Sequence, residues 1–215
     1  MDNSSRSERS RNAALEAAIT IMSRDGPGRL TLDAIARECG LSKGGLMHQF
    51  RTKEAVLKAL LEQQMAYFEA FSTRAHAKAH DTTAQPELAA QLATMQEAIK
   101  TPRTGAFALL AAMNENPELM ALPRDVDAEK IAAIRAEACD PELALLRWAA
   151  ARGLLLSSMF GLSPLADAER DRLFERLFDD SQWTGIGQGD KVGGPRADKK
   201  WALLPMPARA KTAAK

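Results

Sequence analysis

The chain has 215 residues, 46% hydrophobic and 27% charged, with 29 Lys and Arg against 28 Asp and Glu for a net charge of +1. That length suits a small helical domain plus a larger one, each with its own core, and the near-neutral balance excludes binding to polyanions by global charge alone. No run approaches the roughly 18 apolar residues of a membrane span, the opening MDNSSRSERSR is polar rather than a secretory signal, and Cys39 and Cys139 lack metal-ligand spacing, a pattern that suits a reducing cytoplasm.

The first predicted helix runs from about Ser7 to Arg24, with Leu15, Ile19 and Met22 at i, i+4 and i+7, and Asp25-Gly26-Pro27-Gly28 ends it. Thr31 is placed to cap a second helix reaching about Cys39, in which Leu32, Ile35 and Ala36 make one apolar stripe. Gly40 supplies a left-handed turn, Ser42 caps a third helix from Lys43 to about Gln49, and Leu46 and Phe50 face inward. Two short helices joined by a glycine turn are the layout of a DNA reader.

Gly44 and Gly45 sit in the first turn of that third helix, where each costs about 1 kcal/mol relative to Ala. A helix so short does not persist alone in water. Two explanations stand: side-chain-free positions let the backbone approach a major groove closely, or they relieve packing between helices. Just downstream, Thr52 is a good cap for the next helix, and Lys53 lies in its first turn beside free amides that favour anions.

The run Thr31-Leu32-Asp33-Ala34-Ile35-Ala36, then Cys39-Gly40-Leu41-Ser42-Lys43-Gly44-Gly45-Leu46-Met47-His48-Gln49-Phe50, then Lys53-Glu54-Ala55-Val56-Leu57 resembles the tetracycline-repressor-like (TetR/AcrR) transcriptional regulators. The resemblance covers roughly residues 8–62. It implies that Thr31 and Lys53 hold DNA phosphates while Lys43, Gly44, Gly45, Met47 and His48 face the groove. Lys43 can donate to guanine O6 or N7 or to a phosphate, and His48 to either kind of acceptor. The family usually carries Tyr, often a phosphate contact, where this chain has Met47. Arg29, Arg37, Lys43, Arg51, Lys53 and Lys58 outnumber Asp33, Glu38 and Glu54 over residues 29–58, a modest excess that calls for two modules acting together, hence a dimer.

Downstream the chain reads as helix after helix. Val56, Leu57, Leu60, Leu61, Met65, Phe68 and Phe71 predict a long helix from Thr52 to about His80, a natural lever. Further helices are predicted from Pro86 to about Lys100 and from Thr104 to about Asn116. Pro117 and Pro123 then interrupt the chain before a helix to about Ala138. Asp140-Pro141 opens a helix through Trp148 to Phe160, and Ser163-Pro164 with Asp167 open a last one ending near Asp179. The fold class is therefore all-α with about nine helices, the number the resemblance implies. The expected domains are a helix-turn-helix unit over 1–52, an effector-binding and dimerisation unit over 53–180, and a basic flexible tail over 181–215.

The 141–160 helix is apolar or small almost all round and must be buried on more than one side, partly in its own core and partly in a two-fold seam that Leu165, Leu173, Phe174, Leu177 and Phe178 would share. The resemblance implies an effector pocket in the larger domain. Candidate walls are Met65, Phe68, Met95, Phe107, Leu110, Met113, Trp148, Leu155 and Met159, flexible thioethers and apolar side chains suited to an adaptable cavity, with Arg147 and Arg152 as possible anion contacts. His76 and His80 have zinc spacing but no further ligand nearby, and no nucleophile or phosphate-loop motif stands in its proper context. The reading is a cytoplasmic, non-enzymatic, homodimeric repressor of a palindromic double-stranded DNA operator, answering to an apolar or amphipathic small-molecule effector, with no cofactor, metal or membrane partner. The alternative is a helical ligand-binding or interaction module without sequence-specific DNA binding, with Met47 as its best support.

Overall fold

Helix starts are set by local side-chain chemistry. Thr31, Ser42, Thr52 and Asp140 have extended backbone, and each side chain accepts from the amide three residues on, at Ala34, Gly45, Ala55 and Leu143. The computed structural model describes residues 3–100 and 116–183, and every regular element among them is helical. The α-helices are α1 (Asn3–Asp25), α2 (Leu32–Glu38), α3 (Lys43–Gln49), α4 (Lys53–Ala79), α5 (Pro86–Lys100), α6 (Ala121–Glu137), α7 (Pro141–Met159) and α8 (Asp167–Phe178). The helix expected over 104–116 lies outside the described residues, apart from Asn116. No helix among the described residues is long and apolar enough to cross a membrane.

Three starts differ from the sequence reading. α1 begins about a turn before Ser7. Pro123 does not interrupt the chain: a 3-10 turn over Pro117–Met120 runs straight into α6. Pro123 is the third residue of α6, where a missing N–H removes no intrahelical bond. In α8, Ala166 takes the cap position and offers no side-chain acceptor, so Glu169 reaches back to accept from the Ala166 amide at 2.9 Å.

Two apolar clusters organise the helices. The first joins Leu15, Ile21 and Met22 of α1, Ile35 of α2, Leu46 of α3, Phe50, and Val56, Leu57 and Leu60 of α4. Leu119, 7% exposed, is seated in it from the turn before α6. The second joins Leu88, Leu92 and Met95 of α5, Ile134 of α6, Ala144, Ala151 and Leu155 of α7, and Phe174 and Leu177 of α8. The later part of α4 meets α5 through Ser72, whose hydroxyl accepts from Gln91 Nε2 at 3.1 Å. Glu137 closes the circuit by accepting from the amides of Glu87 and Leu88 at 2.9 and 2.8 Å, an N-cap for α5 lent by α6.

Arg147, 3% exposed, is the chief buried charge of the second cluster. Its Nε and Nη2 donate to the Leu177 carbonyl at 3.1 and 2.6 Å, and Nη2 also donates to Asp180 Oδ1 at 2.7 Å. Thr83 Oγ1, in the α4–α5 connection, donates to the other oxygen of Asp180 at 2.5 Å. The Trp183 ring lies 5.7 Å from the guanidinium, and its Nε1 donates to the Arg176 carbonyl. Residues 180–183 thus stay with the folded body, although the sequence places 181 onward in the tail. Removing Asp180 leaves a buried cation without its counter-charge, so Asp180→Ala is expected to lower stability by about 3 kcal/mol. Urea unfolding should show a lower midpoint with an unchanged slope.

Candidate nucleic-acid interface

α3 has seven residues, KGGLMHQ, and holds its shape through attachments to the body. Leu46 is fully buried and Phe50, just past its end, is 2% exposed, both within the first cluster. Gly40, at φ 70, makes the tight turn from α2, and the Leu41 amide closes it by donating to the Ala36 carbonyl at 3.0 Å. Lys43, Gly44, Gly45, Met47 and His48 are all exposed and form the outer face of α3. Met47 is 45% exposed, an unusual position for a large apolar side chain.

The two glycines do not relieve packing between helices. A Cβ at Gly44 would meet nothing within 4 Å, and one at Gly45 would meet only Ser42 Oγ, at 3.2 Å, among the described residues. Gly45 keeps room for its own cap, because Ser42 Oγ accepts from the Gly45 amide at 3.1 Å. Among the described residues, nothing occupies the space a Gly44 side chain would take.

Several charges around this face have partners within the molecule. Lys43 Nζ lies 3.0 Å from Asp33 Oδ1, both side chains being about two-thirds exposed. Such a pair contributes little to stability and exchanges readily for a stronger anion. Lys53 Nζ reaches the Pro27 carbonyl at 3.5 Å, holding the α1–α2 connection against the start of α4. The hydroxyls of Thr31 and Thr52 accept from backbone amides as caps, a role that leaves a hydroxyl its donor capacity. Arg24 joins α1 to α2 by bridging Asp25 and Glu38, and its hydrogen bond holds the Asp25 carboxyl below the ordinary range.

The candidate effector walls separate. Met95 and Leu155 are in the second cluster, and Trp148 and Met159 pack against it. Met65 packs against the first cluster instead, and Phe68 is half-buried with its ring edge-on to Tyr67 at 5.2 Å. Phe107, Leu110 and Met113 lie outside the described residues. Arg147 is engaged as described, and Arg152 is paired with Asp127, so both charges are satisfied internally. Two polar atoms that sequence reasoning passed over stand out. Among the described residues, neither Trp148 Nε1 nor Ser158 Oγ, both buried on α7, has a hydrogen-bond partner.

A capped, glycine-bearing seven-residue helix held on a three-helix core, with a long helix leading into a second helical unit, defines a helix-turn-helix DNA-binding regulator. Residues 14–60 match the family model for bacterial regulatory proteins of the tetR family, and residues 54–181 match the tetracyclin repressor-like C-terminal domain. The chain belongs to the TetR family and is a ligand-responsive DNA-binding transcriptional regulator. Among solved structures, a TetR-family member from Streptomyces coelicolor A3, SCO1917, is 25% identical with a TM-score of 0.57, over 78% of this chain and 97% of that one. The multidrug binding protein EbrR complexed with imidazole is 25% identical with a TM-score of 0.54, over 78% and 93% of the two chains. A TetR-family regulator from Bordetella parapertussis 12822 shares the fold at 20% identity, with a TM-score of 0.56 over 79% and 94%. No curated protein matches the chain.

Proposed function

We propose that the protein is a homodimeric repressor whose α3 enters the major groove of a near-palindromic operator and leaves it when an apolar or amphipathic effector binds the second helical unit. The observation that carries the reading is Gly44: it costs helix stability, nothing among the described residues requires it, and it lies on an exposed face where a backbone can meet a base edge. Lys43 exchanges Asp33 for a guanine edge or a phosphate, and His48 donates to either acceptor. Thr31 and Lys53, at the starts of α2 and α4, hold phosphates on either side. Met47 offers apolar surface rather than a hydroxyl, which suits a thymine methyl.

Dimerisation is supported by a stripe on α7. Leu146 is 65% exposed, Leu156 39% and Phe160 44%, and Ala149, Ala150 and Gly153 between them are exposed too, at the spacing of one helix face. Leu162 at 75% and Leu173 at 37% extend the patch towards and along α8. An apolar stripe with a small-residue centre suits a second copy of the same helices across a two-fold axis.

The effector reading rests on Met95, Trp148, Leu155 and Met159 converging on the second cluster, with Trp148 Nε1 as an unused buried donor. EbrR, the relative described as a multidrug binding protein, is in keeping with an adaptable site of this kind. Two routes link such a site to the reader: α4 runs unbroken from the first cluster to α5, and Leu119 of the later segment sits in the first cluster. Each lets effector binding bias the population of DNA-competent states.

In a gel shift with the DNA upstream of the chain's own coding sequence, Gly45→Glu is expected to abolish a salt-dependent, sequence-selective shift while circular dichroism stays helical. An unchanged shift would remove α3 from the interface. Leu156→Glu is expected to move the free protein from dimer to monomer in light scattering, and to weaken operator binding at least a hundredfold through loss of paired half-sites. A monomeric wild type would contradict the dimer.

A further inference from the structure

We propose that a cavity at the end of the second helical unit away from α3 is a further ligand site, one that takes a small organic cation: a protonated primary amine on a short apolar body. It is distinct from the effector site proposed around Trp148.

The cavity measures about 350 Å³, within the range of small-molecule sites. Thr83 and Gln85 of the α4–α5 connection form one wall, and Arg147 of α7 with Asp179 and Asp180 past α8 form the other. Ala89, Leu92 and Phe178 supply its apolar surface. α4 runs 27 residues, about 40 Å, from the reading unit to this connection.

None of Met95, Trp148, Leu155 and Met159 lines the cavity. Trp148 is turned about 100° round α7 from Arg147, and Leu155 and Met159 lie about 12 and 18 Å further along that helix. The two sites therefore share α7 but not its lining.

Two observations point to a cation. Gln85 Oε1 is buried and has no hydrogen-bond partner among the described residues, so it is an acceptor that a ligand's donor would satisfy. The lining also carries two carboxylates against one guanidinium. Arg147 Nη2 lies 2.7 Å from Asp180 Oδ1, and Thr83 donates to the other oxygen of Asp180, so that pair is matched within the molecule. Asp179 holds the remaining charge. Its Oδ1 accepts from the Ser181 amide and hydroxyl and its Oδ2 from Gln182 Nε2. Those bonds, the one from the Ser181 hydroxyl first, hold the carboxyl below its ordinary range, so it is ionised at neutral pH. An ammonium has three donors and can serve the amide oxygen and a carboxylate together. An anion would meet the excess negative charge, and an uncharged ligand would leave it unbalanced.

The test is a titration of the full-length protein with benzylammonium, followed by heteronuclear NMR, with benzyl alcohol and benzoate as the neutral and anionic counterparts. Benzylammonium is expected to shift the Gln85 side-chain amide and the backbone amides of Asp179, Asp180 and Ser181 with about millimolar affinity, leaving the Trp148 indole unmoved. Benzyl alcohol and benzoate should bind at least tenfold more weakly. Gln85→Leu removes the unpartnered oxygen, so the free variant should unfold at or above the wild-type temperature while losing at least tenfold in affinity for benzylammonium. Asp179→Asn keeps an oxygen to cap the turn and should lose as much. Shifts centred on the Trp148 indole would place the cation in the effector site, overturning the second site while upholding the first. Equal affinity for the alcohol and the ammonium, wild-type affinity in either variant, or no saturable binding would overturn it as well. Should Asp179→Asn unfold, Gln85→Leu decides alone.

Discussion

A seven-residue helix with two glycines in its first turn cannot support itself, so the reading face depends on how α3 is fastened to its neighbours. Leu46 and Phe50 anchor one side in the first cluster. Ser42 satisfies an orphan amide at one end, and Gln49 is tied to Ser7 at the other. The arrangement separates two tasks that a longer helix would combine. Stability comes from buried side chains and caps, which offset the cost of about 1 kcal/mol that each glycine of the outer face carries.

The same division runs through the molecule. The first cluster holds the reader, the second holds α5 to α8, and they are joined by α4 and by Leu119. The buried Arg147 fastens α7 to the end of α8 and, through Asp180, to Thr83 after α4. A change of packing around α7 is therefore mechanically close to the far end of the proposed lever. Trp148 and Ser158, on that helix, carry buried polar atoms with no partner among the described residues, which suits the proposed effector site there.

Much of this was legible in the sequence where the determining forces are local. Thr31, Ser42, Thr52 and Asp140 announce helix starts because a cap needs only a side-chain oxygen three residues before an amide. Gly40 marks an end because it adopts positive φ. The continuous α6 was obscured because Pro123 reads as a breaker unless its position in the first turn is known. Contacts between distant residues left no periodic trace. Glu137 capping α5, Asp33 engaging Lys43 and Leu119 entering the first cluster join positions whose proximity only the tertiary fold creates. Arg147 and Arg152 look available in sequence because their partners, Asp180 and Asp127, lie 33 and 25 residues away.

The central claim is that Gly44 serves an external partner at the expense of the free protein, and a single substitution separates the two. Gly44→Ala adds a Cβ into open space in a helical first turn, so thermal or urea unfolding of the free protein should show a gain of about 0.5–1 kcal/mol. Operator affinity, measured by fluorescence anisotropy on the same preparation, should fall at least tenfold. A variant both stabler and equally tight on DNA would contradict the account, because the glycine would then have no partner to make room for.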